Sequence, residues 1–225
     1  MTYSIALVAH PSRSTLANSL GSQINADVMC WDVDGIGCEE NHLQAWRYLS
    51  DADTEWGVVL EDDTYVVKGF RDQLDQVLKN APSPVVSLYL GRGHPHGGES
   101  DWQNRIAAKI AADVCWLTAE SLLSAQGYAI ATTLIPDMLH TVTPLVEEMP
   151  IDEAISWWCQ ERGYLVAHCR PSIVNHRDET PLIQSRKDGQ PRTAKRVAWL
   201  FDWRDRWDES TSHLTSLRSA PLPAE

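Results

Sequence analysis

Hydrophobic positions along the chain fall into short continuous runs separated by stretches of helical spacing. The first run, Ser4 to Ala9, reads as a strand buried on both faces. His10-Pro11-Ser12-Arg13 then forms a loop, because Pro11 disfavours helical geometry at His10. Leu16, Leu20 and Ile24 recur every four positions and predict a helix, with Ser12 or Ser14 as its cap. Val28 to Trp31 reads as a second strand ending at Asp32-Val33-Asp34-Gly35. Leu43, Trp46 and Leu49 predict a helix over Glu39 to Ser50, and Trp56 to Leu60 a third strand.

The alternation continues downstream. Phe70, Leu74, Val77 and Leu78 mark a helix, and Val85 to Leu90 a strand. Trp102, Ile106 and Ile110 predict a short helix; Val114 to Leu117 and Tyr128 to Ala131 predict strands. Helices are expected after Pro136 and Pro150, since proline suits a first helical position. A strand over Tyr164 to Ala167 and an extended piece over Pro171 to Asp178 follow. Strands alternating with helices predict an α/β fold with a mostly parallel central sheet flanked by helices. Ligands of such sheets sit outside the carboxyl ends of the strands. His10 to Arg13 and Asp32 to Asp34 both fall there.

Composition narrows the classes. With 225 residues the chain is long enough for one sizeable core. No apolar run approaches membrane-spanning length, and Met1-Thr2-Tyr3-Ser4 lacks the basic segment of a signal peptide. Five scattered Cys without a Cys-x-x-Cys fit reduced thiols and a cytoplasmic location. A net charge of −12 argues against a generic DNA-binding module.

The chemistry concentrates where the third strand ends in Glu61-Asp62-Asp63. Three adjacent acids repel one another, so they need solvent, a hydrogen-bond donor or a cation to stay ionised. Two readings fit: a solvated acidic turn, or a strand end that presents oxygen ligands to Mg²⁺ or Mn²⁺ carrying a diphosphate. Asp152 and Glu153 follow Pro150 and Ile151, where acids also serve simply as good helix-start residues. His168 reads as structural, whereas His176 beside Arg177 and Asp178 is a better ligand candidate. The Gly91 to Gly98 segment lacks the Gly-Lys-Ser/Thr ending of a P-loop, and its His94 and His96 read as a polar loop.

Several of these pieces resemble one family. Gly37-Cys38-Glu39-Glu40-Asn41-His42-Leu43-Gln44-Ala45-Trp46, followed by Leu60-Glu61-Asp62-Asp63 and later Pro150-Ile151-Asp152, resembles small GT-A glycosyltransferases, including the family 25 (lipopolysaccharide-type) group. Asn41 departs from that group, where Ser is usual. The order also resembles compact transferases of actinobacteria and their phages: His-Pro-Ser-Arg after the first strand, Trp-Asp-x-Asp-Gly after the second, and Pro-Ser-Ile-Val-x-His-Arg-Asp at the close of the core. The resemblance spans roughly residues 4 to 183.

The resemblance implies a GT-A, Rossmann-like fold over residues 1–190. Beyond it, the Arg- and Trp-rich segment with an apolar face of Val197, Leu200 and Phe201 is expected to form a helical extension at 191–210 packing on the core, and the Ser/Pro-rich residues 211–225 a disordered tail. The resemblance also implies transfer of a sugar from a nucleoside-diphosphate sugar, UDP favoured, with Mn²⁺ or Mg²⁺. Asp63 would be the principal metal ligand, joined by Glu61 and His176. His10, Pro11, Ser12, Arg13, Asp32 and Asp34 would line the donor site with Glu61 and Asp62. Asp152, or its neighbour Glu153, would be the base of an inverting reaction. The acceptor stays open: a bacterial or phage glycan, a protein hydroxyl or a hydroxymethylated DNA base. Two other functions fit the same fold: binding of a nucleotide-sugar without turnover, and nucleotidyl transfer.

Overall fold

The first apolar run becomes β1 (Tyr3–Ala9), an interior strand of the main sheet. The computed structural model describes residues 1–92, 106, 109, 113–180, 182 and 196–214. The further strands are β2 (Val28–Trp31), β3 (Trp56–Glu61), β4 (Thr64–Val66), β5 (Val85–Ser87), β6 (Trp116–Ala119), β7 (Gly127–Ala131), β8 (Val166–Cys169), β9 (Val174–His176) and β10 (Thr211–His213). The helices described in full are α1 (Ser14–Ile24), α2 (Cys38–Ser50), α3 (Phe70–Lys79), α4 (Ile135–Leu145) and α5 (Ile151–Arg162). Eight strands form one sheet in the order β10-β6-β8-β5-β7-β3-β1-β2, while β4 and β9 make a separate ribbon. The main sheet is mixed: β7 runs antiparallel to both β3 and β5, and β6 runs antiparallel to β8.

Period-two alternation along β1 divides the core into two layers. Ile5, Leu7 and Ala9 pack with Leu20 and Ile24 of α1 and with Phe70 and Leu74 of α3. Ala6 and Val8 face the other way, toward Leu43 and Trp46 of α2, Ile135 and Met138 of α4, and Ile155 and Trp158 of α5. A strand covered on both faces must be apolar at every position, which explains the continuous run.

Topology then makes a crevice. β2 and β3 both pair with β1 in parallel, on opposite sides. The connection through α1 packs on one face of the sheet and that through α2 on the other. The chain therefore reverses its direction of travel across the sheet at β1, which is the topological switch point of an open α/β sheet. Register aligns the strand ends there, with Ala9 opposite Trp31 and Val8 opposite Glu61. His10, Asp32 and the Glu61-Asp62-Asp63 turn are consequently neighbours.

Several expectations shift. The strand expected over Val85 to Leu90 ends at Ser87, and that expected over Val114 to Leu117 runs from Trp116 to Ala119. The ribbon strand β4 has no local signal, because its partner β9 lies about a hundred residues downstream. The predicted helix at Trp102, Ile106 and Ile110 and the loop at His94 and His96 fall largely outside the described residues. Residues 196–210 form no helix. Their polar groups pair with neighbouring segments instead: Ala198 bridges Gly91, Phe201 bridges Ser172, and Arg204 donates to the Val114 and Arg170 carbonyls. Trp207 is buried beside Trp116, with ring centroids 5.5 Å apart. The tail expected to be disordered from Thr211 begins as β10, paired in parallel with β6; residues 215–225 lie outside the description.

Gly57 gives the packing a direct test. A Cβ at this position of β3 would lie 2.9 Å from Ile135 Cδ1, 3.1 Å from Leu49 Cβ and 3.1 Å from Trp46 Cζ3. Gly57→Ala is therefore predicted to destabilise by about 1–3 kcal/mol through overpacking. Urea unfolding should show a lower midpoint with an unchanged slope; an unchanged midpoint would contradict the close approach of α2 and α4 to β3.

Candidate active site

Three strand ends and the first turn of α2 enclose a cavity of about 380 Å³. His10, Arg13, Asp32, Cys38, Asn41, Glu61, Asp62 and Asp63 contribute to its wall, joined by Arg196 from the C-terminal segment. Its volume lies in the range of small-molecule and cofactor sites.

The local chain explains each placement. The His10 backbone N–H donates to Asp62 Oδ2 at 2.8 Å, tying the end of β1 to the acidic turn. The His10 ring caps the 3-10 turn Pro11–Arg13 by accepting from the Ser12 N–H. That turn directs Arg13 back into the site. Its Nη1 donates to Asp62 Oδ1 at 3.0 Å and to Asp63 Oδ2 at 2.6 Å, and Nη2 donates to the Thr180 carbonyl. Asp32 Oδ1 accepts from the Gly37 N–H and closes the loop ahead of α2. Gly37 has φ +91°, a left-handed backbone that explains glycine there. Asn41 donates through Nδ2 to the carbonyls of both Ala9 and Cys30, at 3.1 Å each. An amide reaches two strand ends at once, which a serine hydroxyl with its single proton does not.

The three acids are neutralised in two different ways. Burial would raise Glu61, but the hydrogen bond and charge of His42 outweigh it, with help from His176 and Arg196, and hold the carboxyl below its ordinary range. His42 Nε2 lies 3.3 Å from Glu61 Oε1. Behind it, His42 Nδ1 is 3.2 Å from Tyr128 Oη, which accepts the Trp46 indole N–H at 2.8 Å. Asp62 is raised, chiefly by burial and also by Asp63, although the His10 N–H and Arg13 pull the other way. Asp63 is buried and has both oxygens engaged, Oδ2 by Arg13 and Oδ1 by Gln126 Nε2 at 2.9 Å.

The β4–β9 ribbon carries His176 to the same turn. Thr64 pairs with His176, and the Arg177 N–H donates to the Asp63 carbonyl. His176 Nδ1 accepts from the Asp178 N–H at 2.7 Å, so the neutral ring holds its proton on Nε2. That nitrogen faces Asp63 Oδ2 at 3.5 Å. Burial, with Arg196, lowers the His176 pKa against the pull of Asp63.

The expected site residues are thus sorted. His10, Arg13, Asp32, Glu61, Asp62 and Asp63 come together, and His176 joins through Asp63. Pro11 and Ser12 are exposed and shape the turn. Asp34 is exposed, with φ +62°, in the loop that closes on Gly37. Asp152 is half-buried, and its pKa is pushed up to about 6 by burial and by the charges of Glu153 and Glu61. Glu153 is exposed. His168 is a core residue, with its pKa lowered to about 4 by burial. Trp158 is also core and donates to Asp137. Sequence reasoning assigned no role to Gln126, Tyr128, Arg196, Cys38 or His42. For the last two a signal existed: Cys38, His42 and Trp46 recur every four residues on one helix face.

Neither a family model nor a curated protein matches this chain. Solved structures do resemble it. One is the mannose-1-phosphate geranyltransferase of Thermus thermophilus, at 12% identity and TM-score 0.42, over 75% of this chain and 74% of that one. A second is A197 from STIV, at 7% identity and TM-score 0.47, over 90% and 97%. A third is a glycosyltransferase involved in glycosylation of the major capsid of PBCV-1, at 12% identity and TM-score 0.34, over 65% and 68%.

Arg13 is predicted to be the keystone of the acidic turn. Its side chain and those of Asp62 and Asp63 are largely buried, at 13%, 6% and 4% exposure. Arg13→Ala leaves two adjacent buried carboxylates without their cation and should destabilise by about 3–5 kcal/mol at neutral pH. The loss should shrink under mild acid, because Asp62 is already raised and takes up a proton first. Urea unfolding at the two pH values checks this; an equal loss at both would show that the penalty is not electrostatic.

Proposed function

We propose that this chain is a glycosyltransferase of the GT-A type, moving a sugar from a nucleoside-diphosphate sugar, UDP favoured, to an acceptor hydroxyl. One observation carries the reading. His10, Arg13, Asp32 and the Glu61-Asp62-Asp63 turn reach one cavity from the carboxyl ends of three parallel strands, at the switch point where nucleotides bind in such sheets. Asp32 offers an acceptor oxygen of the kind that binds a ribose hydroxyl. Arg13 and Arg196 supply positive charge suited to phosphates. The motif order that resembles GT-A transferases supports the same assignment.

Asp62 and Asp63 fit Mg²⁺ or Mn²⁺ by donor type, since both offer hard oxygens. Arg13 serves as their counter-charge in this structure, so cation and guanidinium compete for the same carboxylates. His176 fits less well, because the Asp178 N–H on Nδ1 keeps the proton on the nitrogen nearest Asp63. Bound at Asp63, a divalent cation would neutralise charge on the leaving nucleoside diphosphate.

Asp152, in the first turn of α5, is the base. Its raised pKa suits proton abstraction near neutrality; burial raises it most, and the charges of Glu153 and Glu61 add to this. The reading is an inverting one. The acceptor is a bacterial or phage glycan, a protein hydroxyl or a modified DNA base, with the net charge of −12 weighing against DNA. A second reading, nucleotide-sugar binding without turnover, is favoured by the Arg13 clamp, which already satisfies the carboxylates a metal would use.

The test is thermal stability against UDP, GDP, CMP, ADP and dTDP, with and without Mn²⁺. A ligand at a hundred times its dissociation constant contributes about 2.7 kcal/mol. A shift with UDP that grows with Mn²⁺, followed by UDP release from a UDP-sugar, is the expected result. A shift without metal and without release selects the binding-only reading. No shift with any nucleotide overturns both.

Asp152 gives a second prediction with a defined sign. Transfer should fall as pH drops through about 6, because the base is lost on protonation. Stability should move the opposite way. The folded carboxyl holds its proton more tightly than the unfolded one. Its contribution is therefore full below the ordinary carboxylate pKa and is lost as pH rises through about 6. Asp152→Asn should slow transfer by roughly 10²-fold or more while raising the urea midpoint at neutral pH. If Glu153→Gln is the damaging change instead, the base moves by one residue.

A further inference from the structure

We propose that Cys38, His42 and Glu61 form a site for a thiophilic divalent cation of the zinc type, set in the wall of the same cavity. Among the described residues, these are the three His, Cys, Asp or Glu side chains whose donor atoms gather within 4.8 Å of one another. The fold builds the cluster from two elements. Cys38 and His42 stand four residues apart in the first turns of α2 and so share a face. Glu61 ends β3 directly opposite.

Donor chemistry selects the ion. A thiolate, an imidazole and one carboxylate are the ligands of zinc sites, whereas Mg²⁺ and Mn²⁺ prefer oxygens alone. Charge agrees: one thiolate and one carboxylate cancel a divalent cation, which suits a site with His42 wholly buried. The thiolate also sits at the start of α2, where the helix N-terminus favours negative charge. Cys38 and Glu61 line the cavity, so a fourth ligand can enter from that side.

An outer shell is in place. Tyr128 Oη lies 3.2 Å from His42 Nδ1 and is itself held by Trp46 Nε1–H. Without a cation, Nε2–H faces Glu61. With one, Nε2 gives up its proton to free its lone pair for the metal, while Nδ1–H points at Tyr128 Oη. Binding also releases the Cys38 thiol proton, so affinity rises with pH. Glu61 then belongs with Cys38 and His42 rather than with Asp63 and His176. The site stands whether or not a nucleotide-sugar binds.

Cobalt titration of the full chain, stripped of metal, tests this directly. One equivalent of Co²⁺ should produce visible d–d bands and a near-ultraviolet thiolate-to-cobalt band, both removed by added Zn²⁺. Cys38→Ser should abolish the near-ultraviolet band, and Glu61→Gln should weaken binding about tenfold or more. Tyr128→Phe should weaken it about tenfold, as loss of an outer-shell partner does. Asp63→Asn should leave it unchanged. The other half-buried thiol, Cys30, provides the control: a band that survives Cys38→Ser and disappears in Cys30→Ser would overturn the proposal. So would absence of the band in the unaltered chain, an outcome that leaves a UDP-induced stability shift untouched.

Discussion

Three consecutive carboxylates at the end of a buried strand would repel one another strongly enough to disrupt the turn that holds them, and the surrounding structure is arranged to prevent this. Glu61 faces one way and meets His42 of α2; Asp62 and Asp63 face Arg13, which returns from the end of β1. The acidic turn is thus held between two cations or donors from opposite layers. Gln126 next to β7 and His176 on β9 complete the enclosure of Asp63. Segments far apart in sequence are drawn to one point by charge.

The sheet makes this meeting possible without strain. Because β1 is paired on both edges in parallel, the ends of β2 and β3 arrive beside His10 in fixed register. Because α1 and α2 lie on opposite faces, neither crosses the opening between those ends. Asn41 then pins the ends of β1 and β2 together from α2. The cavity is a consequence of topology; its polarity is a consequence of which residues terminate each strand.

Much of this is legible in the residues. β1 and β2 show as apolar runs, and the end of β3 shows as an abrupt change from apolar residues to acids. Their parallel order follows from the intervening helical periodicity. The meeting of His10, Arg13, Asp32 and Glu61-Asp62-Asp63 follows from the rule that ligands gather at strand ends. What stays hidden depends on long-range pairing. β4 is three residues long and carries no pattern of its own, while β9, expected only as an extended piece, gives no sign that β4 is its partner. Gln126 precedes a strand and gives no chemical signal until Asp63 lies against it. The Arg/Trp segment has helical spacing, but its hydrogen bonds are taken by the Gly91, Val114 and Ser172 neighbourhoods instead. A tail rich in small and polar residues still begins with an edge strand, since β6 offers a free edge at that point.

Glu61 and Asp152 show how one turn can set two protonation states. Glu61 is held ionised by His42, and its charge helps to raise Asp152 to about 6. The first carboxylate therefore adds, after burial and Glu153, to what raises the second. His42 is itself fixed by Tyr128 and Trp46, both buried in the layer formed by α2, α4 and α5. The proton affinity of Asp152 thus depends on packing well away from the cavity. A cation at Cys38, His42 and Glu61 would change that dependence: by cancelling the charge on Glu61 it would remove part of what keeps Asp152 raised. Occupancy of one site would then be read at the other as a lower pKa, without any movement of the backbone.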